Sequence, residues 1–380
     1  MMDGFDVMAV AFAGPAIARA WTVDHVTLGW LFGAGLAGMT LGALFLAPLA
    51  DRFGRRPVAI SCLAAMALAM LASGLAANIE QLIVLRLITG LGVGGILATL
   101  NSVVAEAARP ERRNLAISIF TAGYPLGSMA GGAMAVALIE HFGWQSIFFI
   151  GGAGTAIVCL LHWIWLPEAN WAGMGTKLPM STLLKGDALP RTLLISASFF
   201  LHMLSVFFVL NWSPRLVEMM GFSAQIGLTT TLIINLGGLV GGLAYGPLAD
   251  CFGWRRVTMA YFLAFSPALA TVGMAPGSTH LLFIIAACVG LFQGGAMTSL
   301  YALAPILFAD PVRVSGTGLA IGIGRCGGIL GPIAAGYLIA AGLPAESLYL
   351  MCAALPIGVA ILIAALRPTN EAKAGARALA

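Results

Sequence analysis

The chain has 380 residues, of which 60% are hydrophobic and 9% charged, and its net charge is +4. A soluble domain carries about 25% charged residues, so this composition excludes a water-soluble chain. The few positive charges gather into no nucleic-acid-binding patch.

A helix needs about 20 apolar residues to cross a bilayer core. On that measure the chain divides into twelve spans, near 2–20, 27–50, 58–77, 81–104, 115–139, 144–166, 192–213, 224–249, 257–275, 280–304, 316–341 and 345–366. The expected class is an all-α membrane protein. Its 48 glycines suit helices packed closely in a membrane. No cleavable signal peptide is visible: no basic region precedes the first span, and Asp3 and Asp6 interrupt its start. The first helix is expected to act as its own insertion signal. Connections are short except near 167–191, a linker carrying Pro167, Pro179, Pro190, Gly173, Gly175 and several charges. It divides a six-helix bundle over 1–166 from another over 192–366, with a tail at 367–380.

Lys and Arg set the orientation. With the N-terminus in the cytoplasm, 15 of the 19 fall on inside loops, Arg19 and Arg215 lie at outer ends, and Arg86 and Arg325 lie within spans. Both termini and the linker are therefore expected in the cytoplasm. The halves are also related. Pro48-Leu49-Ala50-Asp51 with Phe53-Gly54 recurs 199 residues later as Pro247-Leu248-Ala249-Asp250 with Phe252-Gly253, and Gly38 and Gly42 match Gly237 and Gly241. Each copy opens a basic loop, which points to an internal duplication and two pseudo-symmetric bundles.

Few residues could carry chemistry. Asp3 and Asp6 share one helix face, near the inner end of the first helix. Carboxylates within spans are costly and usually functional, and a group that is sometimes protonated is what proton coupling needs; the plainer reading is a frayed, wet helix start. Arg325 lies near the midplane of helix 11 among Gly322, Gly324, Gly327, Gly328 and Gly331. Its planar fork fits a carboxylate, with a structural ion pair as the alternative. Arg86 lies about five residues below the outer end of helix 4, from where it could snorkel to the interface. Tyr124, His202, Asn211, Asn235, Gln293 and Tyr301 are polar or aromatic groups able to line a pore. Of these, Tyr124, Asn211, Gln293 and Tyr301 join Arg325 as substrate-binding candidates, against a plainer reading as packed, hydrogen-bonded residues. The six cysteines, Cys62, Cys159, Cys251, Cys288, Cys326 and Cys352, show no metal spacing and read as packing residues. No nucleotide-binding loop, zinc-hydrolase motif or paired Cys-x-x-Cys is present. That argues against an enzyme, an ATP-driven pump, a metal or any bound cofactor.

Gly42-Ala-Leu-Phe-Leu-Ala-Pro-Leu-Ala-Asp-Arg-Phe-Gly-Arg-Arg56 resembles the signature loop between helices 2 and 3 of the major facilitator superfamily, and Arg86-Leu-Ile-Thr-Gly90-Leu-Gly92 resembles its helix 4 motif. Asp3-Gly4-Phe5-Asp6 looks like the mark of the aromatic acid:proton symporter family; Glu106, Arg109, Arg112, Arg113 and Arg325 also fit its pattern. The resemblance implies alternating access and proton-gradient-driven uptake of a benzoate-type aromatic carboxylate across a bacterial inner membrane. It also implies coupling through Asp3, Asp6, Arg86 and Glu106. Asp51, Arg52, Arg55 and Arg56 would latch the inner side with Glu106 and Arg109, Asp51 facing the positive N-terminal end of helix 11. Asp250 and Arg255 would form a weaker copy, because Cys251 and Trp254 replace basic residues. Two alternatives stay open: symport of another organic anion, such as a sugar acid or dicarboxylate, and drug:proton antiport, which would favour an acidic cavity where Arg325 favours an anion. One departure stands out. The family has more helix and a tail before its motif, whereas only Met1 and Met2 precede Asp3. The expectation is a start further upstream or a truncated chain.

Overall fold

The structure, a computed structural model, describes residues 2–107, 113–165, 188–274, 278–308 and 313–366. Twelve α-helices follow in order: α1 Met2–Trp21, α2 His25–Phe53, α3 Arg55–Gly74, α4 Ile79–Ala107, α5 Arg113–Phe142, α6 Gln145–Trp165, α7 Ala188–Met219, α8 Ala224–Phe252, α9 Trp254–Gly273, α10 Thr279–Ile306, α11 Arg313–Ala340 and α12 Ala345–Ala365. No strand occurs among the described residues. In lipid a helix satisfies its own backbone hydrogen bonds, so long apolar runs take this form. The start of α7 at Ala188 makes the last four residues of the expected linker helical; the rest of the linker and the 367–380 tail lie outside the described residues.

Local chemistry places the helix ends. Asp24 caps α2, its carboxylate accepting from the backbone N–H groups of Val26 and Thr27 at 3.1 and 3.3 Å. The repeated Phe-Gly has a geometric cause. Gly54 and Gly253 each join two helices through a single residue, with φ of 93° and 85°, a region that side-chain-bearing residues rarely enter.

Nine helices are long and apolar enough to cross a membrane among the described residues. Large apolar side chains also lie on the surface, among them Leu44, Phe45, Leu160, Trp163, Leu243 and Ile361. An outer surface of this kind is suited to lipid, and the chain is a multi-pass membrane protein. The cysteines are only partly packing residues. Cys62 and Cys352 are buried, whereas Cys251, Cys288 and Cys326 are exposed on helix surfaces.

The chain forms two compact units. The first is Met1–Met174, Leu210–Leu232 and Pro332–Gly342; the second is Gly175–Val209, Ile233–Gly331 and Leu343–Ala380. In the first, α2 lies directly on α4. A Cβ at Gly38 would stand 2.9 Å from Leu91 N, and one at Gly94 2.8 Å from Ala43 N, so the seam closes only because small residues line it. Gly38→Val is expected to destabilise the fold by about 1–3 kcal/mol through overpacking, read as a lower midpoint in thermal unfolding of the detergent-purified protein. Trp212 of α7 is fully buried in this unit. Its indole N–H donates to Pro332 O at 2.9 Å, and its ring meets Phe32 edge-on at 5.3 Å. Glu218, further along α7, pairs with Arg19 and, at 2.9 Å, with Arg215.

In the second unit Phe199, Tyr261, Phe262, Leu300, Leu303 and Ile363 build the core. Ser266 Oγ donates to Ala353 O at 2.7 Å and joins α9 to α12. His202 is packed here, its ring edge-on to Phe262 at 5.1 Å and near Phe265 at 6.1 Å.

A buried ion pair as the candidate functional site

The first unit holds a charged pair within its core. Arg86 and Asp6 are 2% and 4% exposed, and the Arg86 Nη1–H group donates to Asp6 Oδ1 at 3.0 Å. Nη2 donates to Ser73 Oγ at 2.7 Å, and Ser73 Oγ in turn donates to Ala69 O at 2.7 Å. The guanidinium carbon lies 4.9 Å from the centre of the Phe148 ring, so the cation also rests on an aromatic face. Four helices thus assemble one site: α1 supplies the carboxylate, α4 the guanidinium, α3 the hydroxyl and α6 the ring.

This arrangement corrects two expectations. Arg86 does not snorkel to the interface, because a carboxylate meets it inside the bundle and neutralises the charge there. Asp6 does not sit at the inner rim of the bundle. Gly4 packs on the backbone of Tyr124, eleven residues into α5, and Met2 lies beside Gly154, nine residues into α6. At 1.5 Å per residue these points are about 17 and 14 Å along their helices. The start of α1 is therefore level with the middle of its neighbours, which brings Asp6 to the depth of Arg86.

A buried ion pair costs desolvation of both charges, and removing one partner alone destabilises by about 3–5 kcal/mol. A proton on Asp6 would leave Arg86 as an uncompensated buried cation. The duplication does not repeat it. At the 199-residue offset Ser205 stands for Asp6. In α10 the packing of Gly237 on Ala287 and Leu291 matches that of Gly38 on Leu87 and Leu91, so the position corresponding to Arg86 is Ala286.

A small cavity of about 20 Å³ adjoins the pair, bounded by Asp6, Arg86, Asn211, Val10, Phe32 and neighbouring residues. Asn211, a candidate substrate contact in sequence, thus lies at the ion pair. In the second unit Arg325 is half-buried on α11, close enough to Tyr301 of α10 to act electrostatically on its hydroxyl. Tyr301 is 42% exposed and meets Phe199 edge-on at 5.4 Å. Gln293 is buried, with Oε1 unpartnered among the described residues. Tyr124 is half-buried on α5.

The residues expected to form the inner latch fall largely outside the described residues. Asp51, Arg52, Arg55 and Glu106 lie in helices, with side chains outside the described residues, as is the side chain of Asp3; Arg109 is outside them altogether. Arg56 donates from Nη2 to Trp163 O at 2.7 Å, at the end of α6, and Arg255 donates to Ala364 O, at the end of α12. A cation at a helix C-terminus satisfies its free carbonyls, so these two arginines cap helices in corresponding places. Asp250 is exposed. Ser73, Phe148 and Trp212 were not singled out in the sequence. An isolated serine or aromatic residue in an apolar run carries no signal of its partner.

The Major Facilitator Superfamily model matches the chain over residues 1–244 and again over 223–379. The chain is 34% identical over 349 residues to the 3-(3-hydroxy-phenyl)propionate transporter of Escherichia coli (strain K12), covering 90% of this chain and 85% of that one. It is 29% identical over 399 residues to the gallate transporter of Pseudomonas putida, covering 96% and 89%. Among solved structures the nucleoside transporter NupG superposes with a TM-score of 0.79 at 14% identity, covering 96% of this chain and 98% of that one, which shows the shared fold. The chain therefore belongs to the Major Facilitator Superfamily, and is a membrane transporter rather than an enzyme.

Proposed function

We propose that the chain is a proton-coupled importer of an aromatic carboxylate, working by alternating access of its two six-helix halves in a bacterial inner membrane with both termini cytoplasmic. The observation that carries this reading is the Asp6–Arg86 pair, a carboxylate held inside the bundle by one arginine. An anion entering a negative cytoplasm is opposed by about 2.3 kcal/mol per charge per 100 mV. One co-transported proton cancels that charge. Asp6 takes the proton, Arg86 is released from its counter-ion, and the balance of contacts between α1 and α4 changes with substrate loading. The proton gradient supplies the energy, and no bound cofactor is needed.

The substrate class is supported by the relatives, whose named substrates, gallate and 3-(3-hydroxy-phenyl)propionate, are aromatic carboxylates. Arg325 offers a charge-assisted, two-pronged contact for the carboxylate. Tyr301, 42% exposed, offers a ring against which an aromatic substrate can pack, and the buried Phe199 ring supports it edge-on from behind. The test is a ligand-dependent thermal-shift screen of the purified protein. Aromatic acids should raise the melting midpoint, while sugar acids, dicarboxylates and cationic drugs leave it unmoved. A shift with cationic drugs and none with aromatic acids would turn the assignment toward antiport.

A further inference from the structure

Arg86 is left with one donor unspent. Nη1 is used by Asp6 and Nη2 by Ser73, but Nε has no partner among the described residues, although the side chain is 2% exposed. An unpaired N–H in such a place costs free energy and calls for a partner. The cavity at the pair has room for one. A water needs about 10–15 Å³ and two to four polar neighbours. The cavity measures about 20 Å³ and three of its bounding residues are polar, Asp6, Arg86 and Asn211, the rest being apolar or glycine. It is far too small for an aromatic ring.

We infer that this cavity is a single-water site through which the proton reaches Asp6, and that Asn211 is the residue that positions the water. An asparagine amide both donates and accepts, so it can hold the water whether Asp6 is ionised or protonated. The proton step balances simply. A water O–H bond breaks as the Asp6 carboxyl O–H bond forms, and the water regains a proton from solvent. Arg86 stays charged, and the site goes from neutral to singly positive. Arg86 of α4 is the charge paired with Asp6, and α5 packs on α1 through Tyr124, on Gly4, and Gly131, on Phe5. α2 presents Phe32, Gly35 and Leu36, α3 presents Ser73, α6 presents Phe148, and α7 presents Asn211. Asp3, one turn earlier on α1, has its side chain outside the described residues. The cage is composite, since Asp6 and Arg86 belong to the first half of the chain and Asn211 to the second. Displacement of α7 from α1 would open the cage and gate the proton.

This inference rests on the proton-coupled reading, and its test separates the two. Gradient-driven uptake and counterflow of labelled 3-(3-hydroxyphenyl)propionate are compared in proteoliposomes over a range of pH. Asn211→Leu should lower gradient-driven uptake about tenfold or more, the equivalent of one lost charge-assisted hydrogen bond. Counterflow should fall much less, and its pH profile should shift. Asn211→Ser, which keeps a polar group for the water, should recover most of the uptake. Asn211→Ala makes the same comparison as Asn211→Leu where the larger residue prevents insertion. Parallel loss of uptake and counterflow would mean that Asn211 touches substrate and would overturn the water site; so would wild-type uptake in Asn211→Leu. Asp6→Asn is run alongside. If it still accumulates substrate, the coupling reading itself fails. If it is inactive while Asn211→Leu is normal, only the water site falls.

Discussion

Asp6→Asn should abolish uphill uptake driven by an inward proton gradient, while substrate counterflow persists at a reduced rate. Asparagine has the shape of a protonated aspartate and cannot release a proton. The variant is therefore held in the loaded protonation state, able to exchange substrate across the membrane but unable to complete a cycle that discharges a proton. The substitution also leaves Arg86 without its counter-ion at a site that is 2% exposed. A loss of about 3–5 kcal/mol in stability is expected from breaking a buried pair on one side, so a lower melting midpoint should accompany the transport defect. The informative readout is the ratio of gradient-driven uptake to counterflow, because general instability lowers both. If Asp6→Asn accumulates substrate as wild type does, the coupling carboxylate lies elsewhere, and Asp3 and Glu106 are the remaining candidates.

Arg325→Ala should weaken binding of an aromatic carboxylate by roughly ten- to a hundredfold, the equivalent of about 1.5–3 kcal/mol for a lost charge-assisted hydrogen bond. Arg325→Lys should recover only part of this, because the ammonium keeps the charge and loses the planar fork. Gly324 and Gly327 pack against Phe199 and Phe200 of α7, and Gly328 against Phe207, so α11 lies close to α7 beside the arginine. Titration calorimetry on purified protein reads the effect directly. Unchanged affinity in Arg325→Ala would remove this residue from the substrate site.

Much of this architecture is legible in the sequence because its causes are local. Apolar runs interrupted by Arg-rich loops give the twelve helices, and the repeated Pro-Leu-Ala-Asp with Phe-Gly gives the duplication, since Gly54 and Gly253 supply the same positive-φ link. Asp6 stands out as a carboxylate in an apolar segment, and Arg86 as a lone cation in another. Their pairing is not legible. It depends on where α1 starts relative to α4, α5 and α6, and that depth is set by Gly4 on Tyr124 and Met2 beside Gly154, contacts more than a hundred residues apart in the chain. Counting from each helix's own end placed the two charges at opposite rims. Asn211 shows the same limit: its residue type marks it as polar within a span, but only the packing of α7 brings it to the cavity at Asp6.

Whether proton movement drives aromatic-acid uptake through the Asp6–Arg86 pair is decided in proteoliposomes holding wild-type protein or Asp6→Asn. Accumulation of labelled 3-(3-hydroxyphenyl)propionate is followed after an inward proton gradient is imposed. Wild type should accumulate substrate above the external concentration and lose that accumulation on addition of a protonophore, and Asp6→Asn should accumulate none. Accumulation that is indifferent to the protonophore, or equal in the two proteins, would contradict coupling through the pair.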